Sequence, residues 1–185
     1  RLHDEIQANP YLPVKFICAV IKKIIWNSHI VYPFKDNIFE GMWRGNDTLW
    51  RTLIDLNRAV VYADKNGNIC DKPQRKTFFI IDGVVGGEKD GPLTPNPVYS
   101  GVILAGSDPV SVDIAGATLM GFDVDKIPLI KNAIKNNDGK TPLFNGKCED
   151  IQIIIGEKIL NINEFKKMKN LKFEAHPNWK GDVEL

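Results

Sequence analysis

Thiol chemistry has little to work with in this chain. Its three cysteines, Cys18, Cys70 and Cys148, are far apart and form no C-x-x-C pair. Neither a disulfide framework nor a locally encoded zinc or iron–sulfur site is expected, and reduced thiols in a cytoplasmic protein fit this usage. The three histidines, His3, His29 and His176, are equally scattered, with no partner at metal-ligand spacing. An excess of one charge is also missing. The 24 basic and 23 acidic side chains leave a formal +1, which offers no electrostatic footprint for nucleic acid. The densest basic cluster, Lys166, Lys167 and Lys169, sits beside Glu164 and reads as a solvated helix face. No uncharged apolar run approaches the ~18 residues a transmembrane segment needs. The nearest, "LPVKFICAVIKKIIWNSHIVYPF" (12–34), is interrupted by Lys15, Lys22 and Lys23. It reads as a helix docked on the core or on a missing domain, or as an amphipathic helix at a membrane surface. No signal peptide is visible, and Ser107 lacks the G-x-S-x-G turn of a nucleophile elbow.

What is present suffices for a core. With 185 residues, 43% of them hydrophobic, the chain is expected to form an α/β domain over 41–185, preceded by an N-terminal helical appendage over 1–40. Opening on Arg1 rather than Met, it reads as a processed product or part of a longer protein. Helical patterning covers 14–28, 48–62, 109–120, 127–136 and 163–169. Asn46, Asp47 and Thr48 offer capping chemistry to the second of these, and "DKNGN" (64–68) after it is a turn. Asp108 caps the third, with Pro109 at its first position and Gly121 as the left-handed stop. Short apolar runs at 77–81, 102–105 and 151–155 read as strands covered on both faces. Strands alternating with helices predict an α/β fold of three-layer type, with a mostly parallel sheet flanked by helices. The end of the chain, "EAHPNWKGDVEL", reads as an irregular tail.

In "FFIIDGVVGGEKDGPLTPNP" (78–97) an apolar strand stops at Asp82 and gives way to glycines, acids and prolines. In open parallel sheets, ligands bind beyond the carboxyl ends of the strands. Asp82 and the "GSD" at 106–108 would both lie there. "GVVGGEKDG" matches neither phosphate-loop pattern. Its carboxylates suit a hard divalent cation (magnesium, calcium or manganese), with Asp82 and Glu88 as ligands; the same composition also makes ordinary turns. Asp113 is more pointed, because its helical neighbours Pro109, Val110, Gly116 and Ala117 cannot pair with a carboxylate. Such a carboxylate either points to solvent or needs a partner from elsewhere; with a partner, it is the candidate general base or is held by a hydrogen bond from a neighbouring loop. Asn57 falls within an apolar helix face and needs a hydrogen-bond partner. Arg51 could hold a small anionic ligand bidentately or pair with Asp55. Asn46, Asp47, Arg51, Asn57, Gly87, Gly91 and Asp108 complete the candidate ligand-binding set.

Six segments in order carry a resemblance: "WRGNDTLWR" (43–51), "DLNR" (55–58), "YAD" (62–64), "DGVVGGEKDGPLTP" (82–95), "AGSDPVSVD" (105–113) and "MGFDVDKIP" (120–128). Together they resemble the family catalogued as domain of unknown function 362, over roughly 41–130. The resemblance implies a cytoplasmic α/β protein from a family in which some members carry ferredoxin-like cysteine motifs. This chain has none, so no iron–sulfur cluster is expected in it, although a missing N-terminal domain or a ferredoxin-like partner would fit. The pattern leads one to expect a glycine after Glu88, where this sequence has Lys89. The family name carries no activity. The readings open at this point are an enzyme using a divalent cation on a small anionic substrate, a non-catalytic ligand-binding or redox-partner module, and a structural half of a larger protein.

Overall fold

The computed structural model of the chain describes Val20 and residues 45–92, 94–135, 140–144 and 146–185. The account below concerns the unit Gly45–Leu185. Apart from Val20, the helix expected over 14–28 lies outside the described residues.

Helix α1 (Leu49–Tyr62) begins where the Asn46 side chain accepts hydrogen bonds from the backbone N–H groups of Thr48 and Leu49. Ile54 and Tyr62 are its buried residues. Leu49, Leu56 and Val60, which the helical period groups with the apolar face, stay exposed. The Asp64 side chain then closes the expected turn by accepting from the N–H groups of Asn66 and Asn68. Four strands follow: β1 (Phe79–Gly83), β2 (Gly86–Asp90), β3 (Thr94–Val98) and β4 (Val102–Gly106). Helix α2 (Pro109–Met120) has Asp108 as its cap, accepting from Ser111 N–H at 2.7 Å, and stops at Gly121 with φ 97°. A short helical turn (Val124–Lys126) leads to α3 (Pro128–Lys135). Strands β5 (Gln152–Ile155) and β6 (Lys158–Asn161) and the short α4 (Ile162–Lys166) complete the regular structure.

The sheet is not parallel. β1 and β4 share a sheet with α2 on one face, but they pair antiparallel, with Phe79 opposite Gly106 and Asp82 opposite Ile103. β2 pairs antiparallel with β3, and β5 with β6, so the described strands form three two-stranded sheets. This overturns the expected three-layer α/β architecture with a parallel sheet. The connection from β1 to β4 is the β2–β3 hairpin rather than a crossover helix, and a hairpin returns the chain antiparallel. Nor are the strands covered on both faces: Phe78, Ile80 and Ile103 are about two-thirds exposed.

The core gathers around α2, whose residues Ile114 to Thr118 are all buried. Ile114, 1% exposed, packs in a cluster with Ile54 of α1, Ile130 of α3, Ile151 before β5, and Ile162 and Phe165 of α4. Each such side chain contributes about 1.5–3 kcal/mol of burial. Gly116 lets α2 approach the sheet closely, because a Cβ there would stand 3.3 Å from Ile81 Cδ1. The irregular tail is tied to this core. Leu171 N–H donates to Leu119 O, Phe173 N–H to Met120 O and Leu185 N–H to Gly121 O.

Candidate functional site

Beneath the inner face of the β1–β4 pair lies a cavity of about 470 Å³, within the size range of small-molecule sites. Ile81 and Leu104 come to it from the sheet, Gly116 and Met120 from α2, and Leu171 and Phe173 from the tail. Its lining is mostly apolar, with Asp82, Ser100 and Asp113 the polar side chains there. Gly86 and Gly87 of the hairpin also border it. At Gly86 a Cβ would fall 2.7 Å from the Phe173 ring, so glycine is what allows the tail to close against β2.

Asp113 is the only charged residue of α2. Within the described residues no hydrogen bond or ion pair reaches its carboxylate. Asp113 is exposed to solvent, yet the apolar walls on its inner side withdraw part of its water and raise its pKa above the ordinary carboxyl value. The structural hydrogen bond weighed as its alternative role is not seen among the described residues. Asp82 differs: its Oδ1 accepts from Val84 N–H at 3.1 Å, which shapes the turn out of β1.

The antiparallel register separates residues that a parallel sheet would have brought together. Asp82 stands opposite Ile103 near the start of β4, whereas Asp108 follows the far end of that strand. Five residues of strand and loop set these positions roughly 15 Å apart. Asp108 is engaged in capping α2.

The other candidates lie apart from the cavity or at its border. Arg51 pairs with Asp47 rather than Asp55: its Nη2 is 2.6 Å from Asp47 Oδ2 and its Nε donates to Asp47 O. The guanidinium also lies 4.7 Å from the centre of the Trp50 ring. Asp47 accepts from Trp50 Nε1 as well, and the bonds from Arg51 and Trp50 hold its pKa below the ordinary value. With Asn46 capping α1, this is an exposed helix-start cluster. Asn57 donates its amide to Leu53 O within its own helix. Gly87 lies against Pro95 across the hairpin, and Gly91 sits at the hairpin's turn. Glu88 Oε2 accepts from Glu174 N–H at 2.8 Å. Among the described residues no group of three or more His, Cys, Asp or Glu side chains stands together as a metal site. No helix among them is long and apolar enough to cross a membrane.

Sequence reasoning missed the tail. Leu171 and Phe173 supply part of the cavity wall, yet the segment forms neither helix nor strand. The signal that could have pointed to it is its isolated apolar residues, Leu171, Phe173 and Ala175, spaced two apart after a lysine-rich helix.

In comparison with known proteins, the family model described as a domain of unknown function (DUF362) matches residues 14–118. It takes in five of the six segments that carried the resemblance and reaches back to residue 14, but ends before the sixth, at 120–128. No curated protein and no solved structure matches the chain.

Proposed function

Starting from a chain that belongs to the DUF362 family, a description that names no activity, we propose that this domain binds a small, mainly apolar molecule carrying a cationic group. Asp113 is the anchor. The observation that supports this reading is a carboxylate on the wall of an apolar cavity with no partner among the described residues. A crowded, unpaired carboxylate gains most from a ligand that brings a positive charge to it. The apolar lining favours a hydrocarbon or aromatic body over a polar one. A carboxyl with a raised pKa is also suited to exchanging a proton with its ligand, and this keeps the general-base role of Asp113 within the proposal.

A second reading replaces the organic cation with a hard divalent ion held by Asp82 and Asp113, both of which line the cavity. It requires water or substrate oxygens to complete the coordination shell.

Calorimetric titration separates the two. The 2-phenylethylammonium ion should bind the wild-type protein more tightly than neutral 2-phenylethanol, and Asp113→Asn should remove about tenfold or more of that preference. Equal binding of the charged and neutral probes would sink the first reading. Heat from magnesium, calcium or manganese that disappears in Asp113→Asn would favour the second.

A further inference from the structure

A second cleft, of about 530 Å³, lies at the other end of the β1–β4 pair, where α1, the segment leading into β1 and the start of α2 meet. Its lining combines Arg75, Lys76, Thr77 and Ser107 with the exposed ring of Phe78 and the buried Tyr62. None of these residues was singled out as ligand-binding in the sequence, and none lines the Asp113 cavity.

The cleft is rich in donors and poor in acids. Arg75 uses one guanidinium N–H on Val60 O, which fixes the group in place while its other donors remain to be used. Lys76 has no carboxylate partner, and the hydroxyls of Thr77 and Ser107 make no hydrogen bond within the described residues. The single acid on the lining, Asp108, already accepts from Ser111 N–H. In a chain whose charges nearly balance, two cations and two uncommitted hydroxyls around one satisfied acid form a local excess of positive potential. Arginine is the side chain best shaped to grip a planar or tetrahedral oxyanion. The Phe78 ring beside these donors, about two-thirds exposed, would accept a flat apolar body.

From this arrangement we infer that the cleft is a binding site for a small organic anion, with a carboxylate or phosphate head held by Arg75, Lys76 and Ser107 and an aromatic or alicyclic body against the exposed ring of Phe78. It is independent of the Asp113 cavity and stands whether or not that cavity binds a cation.

The test is titration of the full chain with phenyl phosphate, benzoate and benzyl alcohol, followed by chemical shift changes. Both anions should bind, shifting the resonances of Arg75, Thr77 and Ser107, and the neutral alcohol should bind at least about tenfold more weakly. Stronger binding of phenyl phosphate identifies the natural head group as phosphate, and stronger binding of benzoate as carboxylate. Lys76 is exposed and carries no internal bond, so Lys76→Gln should fold normally and weaken both anions about fivefold or more, with Lys76→Glu abolishing binding. Ser107→Ala is the second variant and should weaken the anions without affecting the alcohol. Equal affinity for anion and alcohol, or anion binding unchanged by both Lys76→Gln and Ser107→Ala, would overturn the assignment.

Discussion

Glu88 Oε2 accepts a hydrogen bond from the backbone N–H of Glu174 at 2.8 Å, and this bond fastens the β2–β3 hairpin to the C-terminal tail. The two residues after Glu88 strengthen the attachment. Lys89 N–H donates to Glu174 O and its ammonium stands 2.9 Å from Glu174 Oε1, while Asp90 Oδ1 lies 3.2 Å from His176 Nε2. The tail so held places Phe173 on the wall of the Asp113 cavity. The hairpin's charged residues thus act on the cavity through the tail, at a distance from it in sequence.

Glu88→Ala should therefore loosen the tail more than it lowers overall stability. The Glu174 amide is expected to exchange with solvent about tenfold faster or more, with the melting temperature nearly unchanged. Site-resolved hydrogen exchange checks this, and an unaltered rate at Glu174 would mean the bond is not limiting.

Helix boundaries were the most legible part of the sequence, because capping is local chemistry. Asp108, Pro109 and Gly121 bracket α2 in the sequence as they do in the structure. That the helical neighbours of Asp113 leave its carboxylate unsatisfied was legible for a similar reason. Strand direction was not legible. "GGEKD" and "TPNPV" show no alternation of apolar residues, so β2 and β3 read as loop, and with them the hairpin that makes β1 and β4 antiparallel was lost. The convergence expected of Asp82 and Asp108 failed through that same error. The walls of the cavity were hidden for another reason: Phe173 reaches it from a segment held by hydrogen bonds to α2 and the hairpin, whose short alternation of apolar residues forms no strand.

Lys89 adopts φ 64°, the left-handed region that a side chain with a Cβ resists and glycine enters freely. This is the position where the family pattern led one to expect glycine. The backbone bond and ion pair to Glu174 hold Lys89 in that conformation. Lys89→Ala loses the ion pair and keeps the strain, whereas Lys89→Gly loses the ion pair and removes the strain. Thermal melts should accordingly rank Lys89→Gly above Lys89→Ala; the reverse order would show the left-handed conformation to be unimportant.

The attachment of the tail should weaken in acid. Hydrogen bonds from Lys89 and Lys180 hold the Glu174 carboxyl below its ordinary value of 4.5. A depressed pKa contributes stability that is present above the ordinary value and is lost as pH falls through the folded one. Exchange at the Lys89 amide should rise as pH is lowered below about 4.5, after correction for the intrinsic rate. In Glu174→Gln that pH dependence should flatten.

Tyr62, 1% exposed at the end of α1, donates its hydroxyl to Pro142 O and so ties the helix to a segment 80 residues away. Burial raises the phenol's pKa, so it remains a donor throughout the neutral range. Tyr62→Phe preserves the packing but leaves the Pro142 carbonyl without that donor, at a cost of about 1–2 kcal/mol. Denaturant unfolding should show a lower midpoint with an unchanged slope. No shift in midpoint would mean that water replaces the phenol at Pro142.

Asp113 should respond to pH in the opposite sense to Glu174. Desolvation raises its folded pKa above the ordinary 3.8, so its favourable contribution is fully present below that value and is lost as pH rises through the folded value. At neutral pH the crowded, ionised carboxylate is a net cost. The open edge of the side chain keeps this below about 1 kcal/mol, because solvent screens an exposed charge. Asp113→Asn removes the charge while keeping the side chain's shape. The variant should melt at or slightly above the wild-type temperature at pH 7, and the difference should vanish as pH falls below about 3.8. The same substitution should weaken binding of a cationic probe. A gain in stability paired with a loss of binding is the signature of a group retained for its ligand, since a scaffold acceptor would lose stability when replaced. If Asp113→Asn melts below wild type at pH 7, the carboxylate has a structural partner after all, and the cavity loses its anchor.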